Sequence, residues 1–259
     1  MASAGHGASD AVLAALRTRA PVVLRSNAAK GDRDALRSVL EREGIATEPH
    51  PLSETALQVT GRIRGLTALS SFRDGLFEFQ DAASQAAMDR LGDVRGLGVL
   101  DYCAGGGGKA LALAAKGAEV TAHDADPRRM RDLPVRATRA GVSIATEAVP
   151  SGRFDIVLCD APCSGSGAWR RQPEGKWRLT ADRLRELTRI QDGILDRAAP
   201  LVAEGGRLAF ATCSVFLDEN EERVAAFLDR HGGWREEDRL RLSPLEGADG
   251  FFLSVLRRG

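Results

Sequence analysis

Residues 99–109 carry the clearest structural signal of the chain and read Val99-Leu100-Asp101-Tyr102-Cys103-Ala104-Gly105-Gly106-Gly107-Gly108-Lys109. A short apolar run ends in an acid, four glycines follow and helical spacing begins, which predicts a strand, a turn and a helix. Glycine lets the backbone come close to a ligand, and the helix N-terminus offers free N–H groups to an anionic group. Because the spacing matches neither G-x-G-x-x-G nor G-x-x-x-x-G-K-[ST], the loop alone does not identify its ligand.

A second acid adds to this signal. The next predicted strand, Glu119–Ala122, is followed by His123 and Asp124. An acid roughly 20 residues beyond such glycines lies where it can accept hydrogen bonds from a ribose diol. The loop and the acid together favour a nucleoside-containing cofactor over a purely structural turn.

Strands and helices alternate along the rest of the sequence. Apolar runs predict strands at Phe154–Leu158 and Leu208–Thr212, and amphipathic spacing predicts helices at Pro127–Ala140 and Thr180–Ala199. Repeated βα units predict an α/β fold with a doubly wound, mostly parallel sheet.

The N-terminal part has a different pattern. It predicts a small α/β unit with these elements in order: a helix at Ala11–Arg17, a strand at Val22–Leu24, a helix at Asp32–Glu43 and short strands around Ala56–Val59. We therefore expect two domains, residues 1–71 and 72–259, joined near Ser70–Gly75.

Composition excludes several classes of protein. The 259 residues are 43% hydrophobic and 28% charged, as in ordinary globular chains. Lys plus Arg and Asp plus Glu both number 36, so a uniformly basic nucleic-acid coat is excluded, although a local basic patch is not. No apolar run approaches the ~18 residues of a membrane span, and Met1–Asp10 lacks the basic segment of a leader peptide. We expect a cytoplasmic protein.

The four cysteines are Cys103, Cys159, Cys163 and Cys213. They lack the paired C-x-x-C spacing of a zinc site, so we expect no metal and reduced thiols. Cys159 lies inside an apolar run and is expected to pack in the core. Cys163 and Cys213 instead follow two predicted parallel strands, so their thiols are expected to converge on one pocket.

The residues around these cysteines resemble the RsmB/NOP/Sun-type family of S-adenosylmethionine-dependent RNA (cytosine-5) methyltransferases. D-A-P-C-S-G at Asp160–Gly165 with T-C-S at Thr212–Ser214 is the most specific match. Further matching segments cover nearly the whole chain: Leu24–Asn27, Gly75–Gln85, Asp101–Lys109, Glu219–Glu221 and Asp249–Phe252.

The resemblance implies a class I methyltransferase fold, Rossmann-like, with a small N-terminal RNA-recognition-like domain. It implies that Cys213 is the nucleophile, that Cys163 assists resolution of the covalent adduct and that Asp160 contacts the polar edge of the cytosine. Lys109 would add positive potential, or be a solvated lysine at a helix end. The implied S-adenosylmethionine-binding residues are Cys103, Ala104, Gly105, Gly106, Gly107, Gly108, Lys109, Asp124, Arg129, Asp160 and Pro162.

The expected partner is RNA, with ribosomal RNA ahead of transfer RNA, and the expected state is a monomer. The candidate RNA-contacting residues Trp169, Arg170, Arg171 and Lys176 belong to a segment, Trp169–Arg178, that mixes aromatic and cationic side chains. Gln80 is a candidate because the resemblance implies that the Gln80–Gln85 stretch borders the site. A solvated loop with packed tryptophans is the alternative.

The sequence departs from the family pattern at two places. The glycine loop reads C-A-G-G-G-G-K where the family has C-A-A-P-G-G-K, and Glu147 is the acid available where the family has an aspartate after the third strand. The changed glycine loop leaves an inactive RNA-binding module open as an alternative. Two further alternatives stay open: a small-molecule methyltransferase, and a Pro162-Cys163 nucleophile like that of DNA cytosine-5 methyltransferases.

Overall fold

The computed structural model describes residues 6–259, with side chains from Asp10 onward. The start of the polar N-terminal segment, residues 1–5, lies outside this range. In chain order the helices and strands are α1 (His6–Ala15), β1 (Val23–Ser26), α2 (Arg33–Arg42), β2 (Thr47–Pro49), β3 (Ala56–Val59), α3 (Ser70–Arg73), β4 (Phe77–Phe79), α4 (Ala82–Asp89), β5 (Gly98–Asp101), α5 (Gly108–Ala115), β6 (Glu119–Ala122), α6 (Leu133–Ala140), β7 (Ile144–Thr146), β8 (Phe154–Asp160), α7 (Gly175–Arg178), α8 (Ala181–Ala198), β9 (Val202–Thr212), α9 (Glu221–Arg230), β10 (Trp234–Leu242) and β11 (Phe251–Arg258).

The N-terminal unit is a βαββαβ arrangement whose four antiparallel strands lie in the order β2-β3-β1-β4. Leu24 and Phe77 are fully buried in its core. Strand β4 pairs with β1, with Phe77 opposite Ser26, although it follows the expected boundary between residues 71 and 72. Three residues are too few for strand periodicity to be visible in a sequence. The division into two domains remains a proposal, and we now place it after Phe79.

The second sheet has seven strands in the order β10-β11-β9-β8-β5-β6-β7. The five from β9 to β7 are parallel, and β10 and β11 form an antiparallel edge. This confirms the doubly wound, mostly parallel sheet. Side chains alternate between its faces: Ile156 and Leu158 pack toward α4 and α5, whereas Val157 and Cys159 pack toward α8 and α9. Cys159 is fully buried, as expected.

The helix predicted over Pro127–Ala140 is wrong in one respect, because the structure breaks it in two. A short 3₁₀ turn covers Pro127–Met130, and α6 begins only at Leu133. Pro134 lies in the first turn of α6. Proline lacks an N–H donor and crowds the preceding turn, so it fits the start of a helix and not its interior.

The two sheets are joined by buried polar contacts. Asn27 donates hydrogen bonds to the carbonyls of Gly75 (2.8 Å) and Ala140 (2.7 Å). Glu78 of β4 is ion-paired with Arg136 and Arg139 of α6. These contacts hold the N-terminal sheet beside the helices that follow the glycine loop. Between residues 6 and 259, no helix is long and apolar enough to cross a membrane.

Candidate active site

The glycine loop joins β5 to α5 at the carboxyl edge of the parallel sheet. Gly105 and Gly107 have φ angles of +51° and +81°, which side chains other than glycine rarely adopt. A Cβ at Gly107 would lie 2.2 Å from Cδ1 of Leu133. The second half of the loop therefore requires glycine for both its conformation and its packing against α6.

Asp124 follows β6 and is 3% exposed. Its Oδ2 accepts from the Gly105 N–H (2.9 Å) and from Nη1 of Arg129 (3.0 Å), and Oδ1 accepts from the Asp126 N–H. The structure thus brings the glycine loop, the acid and Arg129 together. Binding of a ribose diol by Asp124 stays a prediction.

The remaining predicted cofactor residues belong to this loop or follow β8. The N–H of Ala104 donates to the carbonyl of His123 (2.8 Å), Arg136 donates to the carbonyl of Gly106, and Pro162 is exposed after β8. Burial and the neighbouring acids raise the pKa of the Cys103 thiol, so this thiol is protonated at neutral pH.

Asp101, at the end of β5, was assigned no role from the sequence. It is buried, and its Oδ1 has no hydrogen-bond partner within the described part of the chain. Burial, reinforced by Asp160, raises its pKa to about 7. A buried carboxyl oxygen without a partner is rare and could accept a hydrogen bond from a ligand. The position of Asp101 in the sequence, as the acid that ends β5 just before the glycine loop, is the feature that could have indicated a role in ligand binding.

Lys109 and Asp160 form an ion pair near the end of β8. The distance from Nζ to Oδ2 is 2.6 Å, and the Lys109 side chain is 12% exposed. Nζ also lies 5.2 Å from the ring centroid of Phe251. Burial lowers the pKa of Lys109, but Asp160, together with Asp101 and Cys213, leaves this pKa raised. Lys109 is therefore a buried cation and not a solvated helix-end lysine.

The two strand-end thiols converge as expected, with Sγ of Cys163 3.4 Å from Sγ of Cys213. The hydrogen bond from Cys163 lowers the pKa of Cys213; burial opposes this effect and Lys109 reinforces it. The same hydrogen bond and burial raise the pKa of Cys163 well above its usual range. The pair is thus polarised, with Cys213 as the more acidic thiol and Cys163 as the hydrogen-bond donor.

A cavity of about 620 Å³ opens above these groups, between the N-terminal sheet and the larger sheet. Cys213, Lys109 and Asp160 line it from the larger sheet, and Gln80 and Phe79 line it from the other side. Because Cys213 is one of the lining residues, a ligand that enters the cavity lies next to this cysteine.

The candidate RNA residues fall into two groups. Arg170 is 4% exposed at its side chain and bonds Asp249 at 2.8 Å, and Arg171 contacts both Asp249 and Asp81. The guanidinium of Arg170 therefore has no accessible face for a phosphate, contrary to expectation. Lys176 remains exposed.

The remaining candidate residues from the sequence are Trp169, Gln80 and Glu147. Trp169 donates to the Ser164 carbonyl (3.3 Å), whereas Trp177 is 80% exposed. Gln80 accepts from Arg25, whose guanidinium also donates to the Gly108 carbonyl (2.6 Å). The carboxylate of Glu147 accepts from the Ser151 N–H (3.2 Å).

The sheet order and the loop geometry define a class I methyltransferase fold. A family model described as 16S rRNA methyltransferase RsmB/F matches residues 91–257, and a second, described as the RsmF/B-like ferredoxin-like domain, matches residues 5–64. The chain therefore belongs to the RsmB/F family of S-adenosylmethionine-dependent methyltransferases.

Individual relatives agree with this assignment. The chain is 33% identical to ribosomal RNA small subunit methyltransferase B of Serratia proteamaculans, over 95% of this chain and 62% of that protein. A similar relative from Photorhabdus laumondii is also 33% identical, over 92% of this chain and 60% of its own length. The chain thus spans about 60% of the length of these curated relatives.

Solved structures share the fold. The crystal structure of PH0851 superposes with a TM-score of 0.91 at 28% identity, covering 98% of this chain and 63% of the other. NSun6 from Pyrococcus horikoshii, solved with SFG, gives a TM-score of 0.87 at 18% identity over 98% of this chain and 95% of its own.

The Lys109→Met substitution should slow alkylation of Cys213 by iodoacetamide at pH 7 several-fold. The substitution removes a cation that lowers the pKa of Cys213 and leaves Asp160, which raises it, without its partner. The rate is measured by mass spectrometry of the alkylated peptide. Lys116→Met, which removes the Lys116–Asp89 ion pair at the other end of α5, is the control. Equal rates in the two variants would contradict the account.

Proposed function

We propose that this protein is an S-adenosylmethionine-dependent RNA (cytosine-5) methyltransferase in which Cys213 is the nucleophile. One observation carries the proposal: two hydrogen-bonded thiols lie beside the ion pair of Asp160 with the buried Lys109 at a cavity of about 620 Å³. Ribosomal RNA is the proposed substrate because the curated relatives are named for it. Such a substrate favours action in the cytoplasm.

The loop residues fit S-adenosylmethionine, which supplies an electrophilic methyl group when bound. Asp124 would accept hydrogen bonds from the ribose hydroxyls, and the Cys103–Lys109 backbone would face the amino acid part. Arg129 and Pro162 would border the cofactor. The buried Asp101 oxygen without a partner suits a cationic amino group, whose positive charge would favour the ionised carboxylate.

Cys213 makes carbon 5 of the cytosine reactive. Its thiolate adds to carbon 6, and the electron pair of the C5–C6 double bond becomes available at carbon 5 for bonding to the methyl group. An ordinary thiol is only a few per cent ionised at neutral pH, so the lowered pKa of Cys213 increases the reactive fraction. Asp160, held by Lys109, would contact the polar edge of the ring and fix its orientation.

Cys163 would assist the breakdown of the adduct. After methylation, water in the open cavity would take the carbon 5 proton, the electron pair of that C–H bond would restore the C5–C6 double bond, and the Cys213 thiolate would be expelled from carbon 6. The Cys163 thiol donates toward Cys213 and can stabilise that leaving sulfur. The reverse assignment, with Pro162-Cys163 as nucleophile, would require attack by the less acidic thiol of the pair.

Two competing functions remain testable. An inactive RNA-binding module would not need a polarised thiol pair, and a small-molecule methyltransferase would not need two strand-end cysteines. Cofactor binding and covalent RNA capture distinguish both from the proposal.

The Asp124→Ala substitution should weaken S-adenosylmethionine binding roughly 10- to 100-fold, because it removes charge-assisted hydrogen bonds of about 1.5–3 kcal/mol. Titration calorimetry measures this affinity. Asp126→Ala, which removes a neighbouring acid paired with Arg128, should bind like the wild type. Unchanged affinity in a folded Asp124→Ala protein would reject the ribose assignment.

The two cysteine variants should behave differently with cofactor and unmodified RNA. Cys213→Ala should form neither product nor adduct, because it cannot add to carbon 6. Cys163→Ala should methylate and release slowly, leaving a protein–RNA species that survives denaturing electrophoresis. The double variant should lose this species. An adduct in Cys213→Ala would transfer the nucleophile role to Cys163.

The exposed loop should contribute to RNA affinity through charge. If Lys176 and Arg178 contact phosphates, replacing both with alanine should lower the slope of log affinity against log salt by roughly 0.7 per lost contact on single-stranded RNA. The control replaces Arg183 and Arg185 of α8, which are exposed and paired with acids on the same helix. A slope unchanged from that of this control would identify the loop as a solvated surface.

A further inference from the structure

Glu219 is a fully buried carboxylate between the two cysteine loops. Its oxygens accept from the N–H (2.8 Å) and the hydroxyl of Ser164, from the hydroxyl of Ser214, and from Nε2 of Gln191 (3.1 Å). No salt bridge joins Glu219 to a cation within residues 6–259. Burying a carboxylate without a cation is costly unless hydrogen bonds replace its water, and here four donors do so.

The donors of these hydrogen bonds are next to the reactive thiols. Ser164 directly follows Cys163, and Ser214 directly follows Cys213. Gln191 of α8 also donates to the Pro162 carbonyl (3.0 Å), so the same network holds the residue before Cys163. One carboxylate thereby fixes the backbone beside both cysteines.

A backbone contact closes the arrangement. The N–H of Gly167 donates to the Cys213 carbonyl (3.0 Å), and the hydroxyls of Ser166 and Ser214 are 2.9 Å apart. Without an acceptor that serves both loops, the Ser164 N–H would lose its partner and the hydroxyls of Ser164 and Ser214 would lose the acceptor they share, which is unfavourable in a buried site. The loops would then be expected to separate.

The charge of Glu219 also acts on one thiol more than on the other. Its negative charge contributes to the raised pKa of Cys163. A protonated Cys163 is the state that can donate a hydrogen bond to Cys213. The carboxylate therefore supports both the distance between the sulfurs and the direction of the hydrogen bond.

We propose that Glu219 is a positioning residue that holds the two cysteine loops together and keeps Cys163 as the hydrogen-bond donor to Cys213. Its meaning for catalysis rests on the proposed function, but the arrangement itself does not require RNA or cofactor. Glutamine is neutral and has nearly the same shape as glutamate. Glu219→Gln should therefore weaken the contacts between the two cysteine loops without creating a cavity.

The test compares alkylation of the two cysteines by iodoacetamide at pH 7, in the full chain without RNA or cofactor. Peptide mass spectrometry gives the ratio of Cys163 to Cys213 modification. Glu219→Gln should raise this ratio roughly tenfold, the change in thiolate fraction that one pKa unit produces. Glu222→Gln, an exposed acid in the first turn of α9, is the control and should leave the ratio unchanged.

A second variant covers the case in which Glu219→Gln does not fold. Ser214→Ala keeps the carboxylate of Glu219 and removes one of its hydroxyl donors, which should loosen the contact between the two cysteine loops. It should therefore raise the ratio of Cys163 to Cys213 modification, as Glu219→Gln does. Circular dichroism checks the fold of each variant. A wild-type ratio in folded Glu219→Gln or in folded Ser214→Ala would overturn the positioning role.

The methylation assay separates this inference from the proposed function. If the wild type does not methylate RNA but Glu219→Gln changes the alkylation ratio, the function is wrong and the positioning role stands. If the wild type methylates RNA and the ratio does not respond, the positioning role is wrong and the function stands.

Discussion

The hydrogen bond between Cys163 and Cys213 is the interaction on which the rest of the site depends. At 3.4 Å the two sulfurs are close enough for one thiol to stabilise the other as an anion. A pair of identical free thiols would have equal acidity, so the difference must come from the surroundings. Lys109 favours the Cys213 thiolate, while Glu219 disfavours ionisation of Cys163. The protein thus gives two chemically identical side chains different protonation behaviour.

The fold makes this pairing possible because it places loops from separate strands at one edge. Strands β8 and β9 are adjacent and parallel, so the segments after them leave the sheet on the same side. The N-terminal sheet lies against this edge and lines the other side of the cavity. Hydrogen bonds such as those of Asn27 with Gly75 and Ala140 hold the N-terminal sheet in this position. Substrate access and thiol chemistry are therefore properties of both sheets together.

Much of the fold and of the candidate site could be predicted from the sequence. The features that could not be predicted are short elements and contacts between distant segments. The glycine loop, the acid at Asp124 and the convergence of Cys163 and Cys213 follow from periodicity and from the topology of parallel strands. Strand β4 has only three residues, too few for a strand pattern to be visible in the sequence. The helical spacing continues through Pro127–Ala140, so the spacing alone does not show the break before α6. Contacts between side chains that are far apart in the sequence leave no local pattern in that sequence. The burial of Arg170 against Asp249 and the four hydrogen bonds of Glu219 were visible only in three dimensions.

The proposed mechanism requires a covalent bond between the sulfur of Cys213 and carbon 6 of a cytosine, which a fluorinated substrate can trap. In 16S rRNA transcribed with 5-fluorocytidine, carbon 5 carries fluorine in place of the proton whose removal releases the enzyme. The adduct should therefore persist after methyl transfer. Peptide mapping by mass spectrometry after nuclease digestion should find the nucleotide on the peptide that contains Cys213. A nucleotide on the Cys163 peptide would contradict the account.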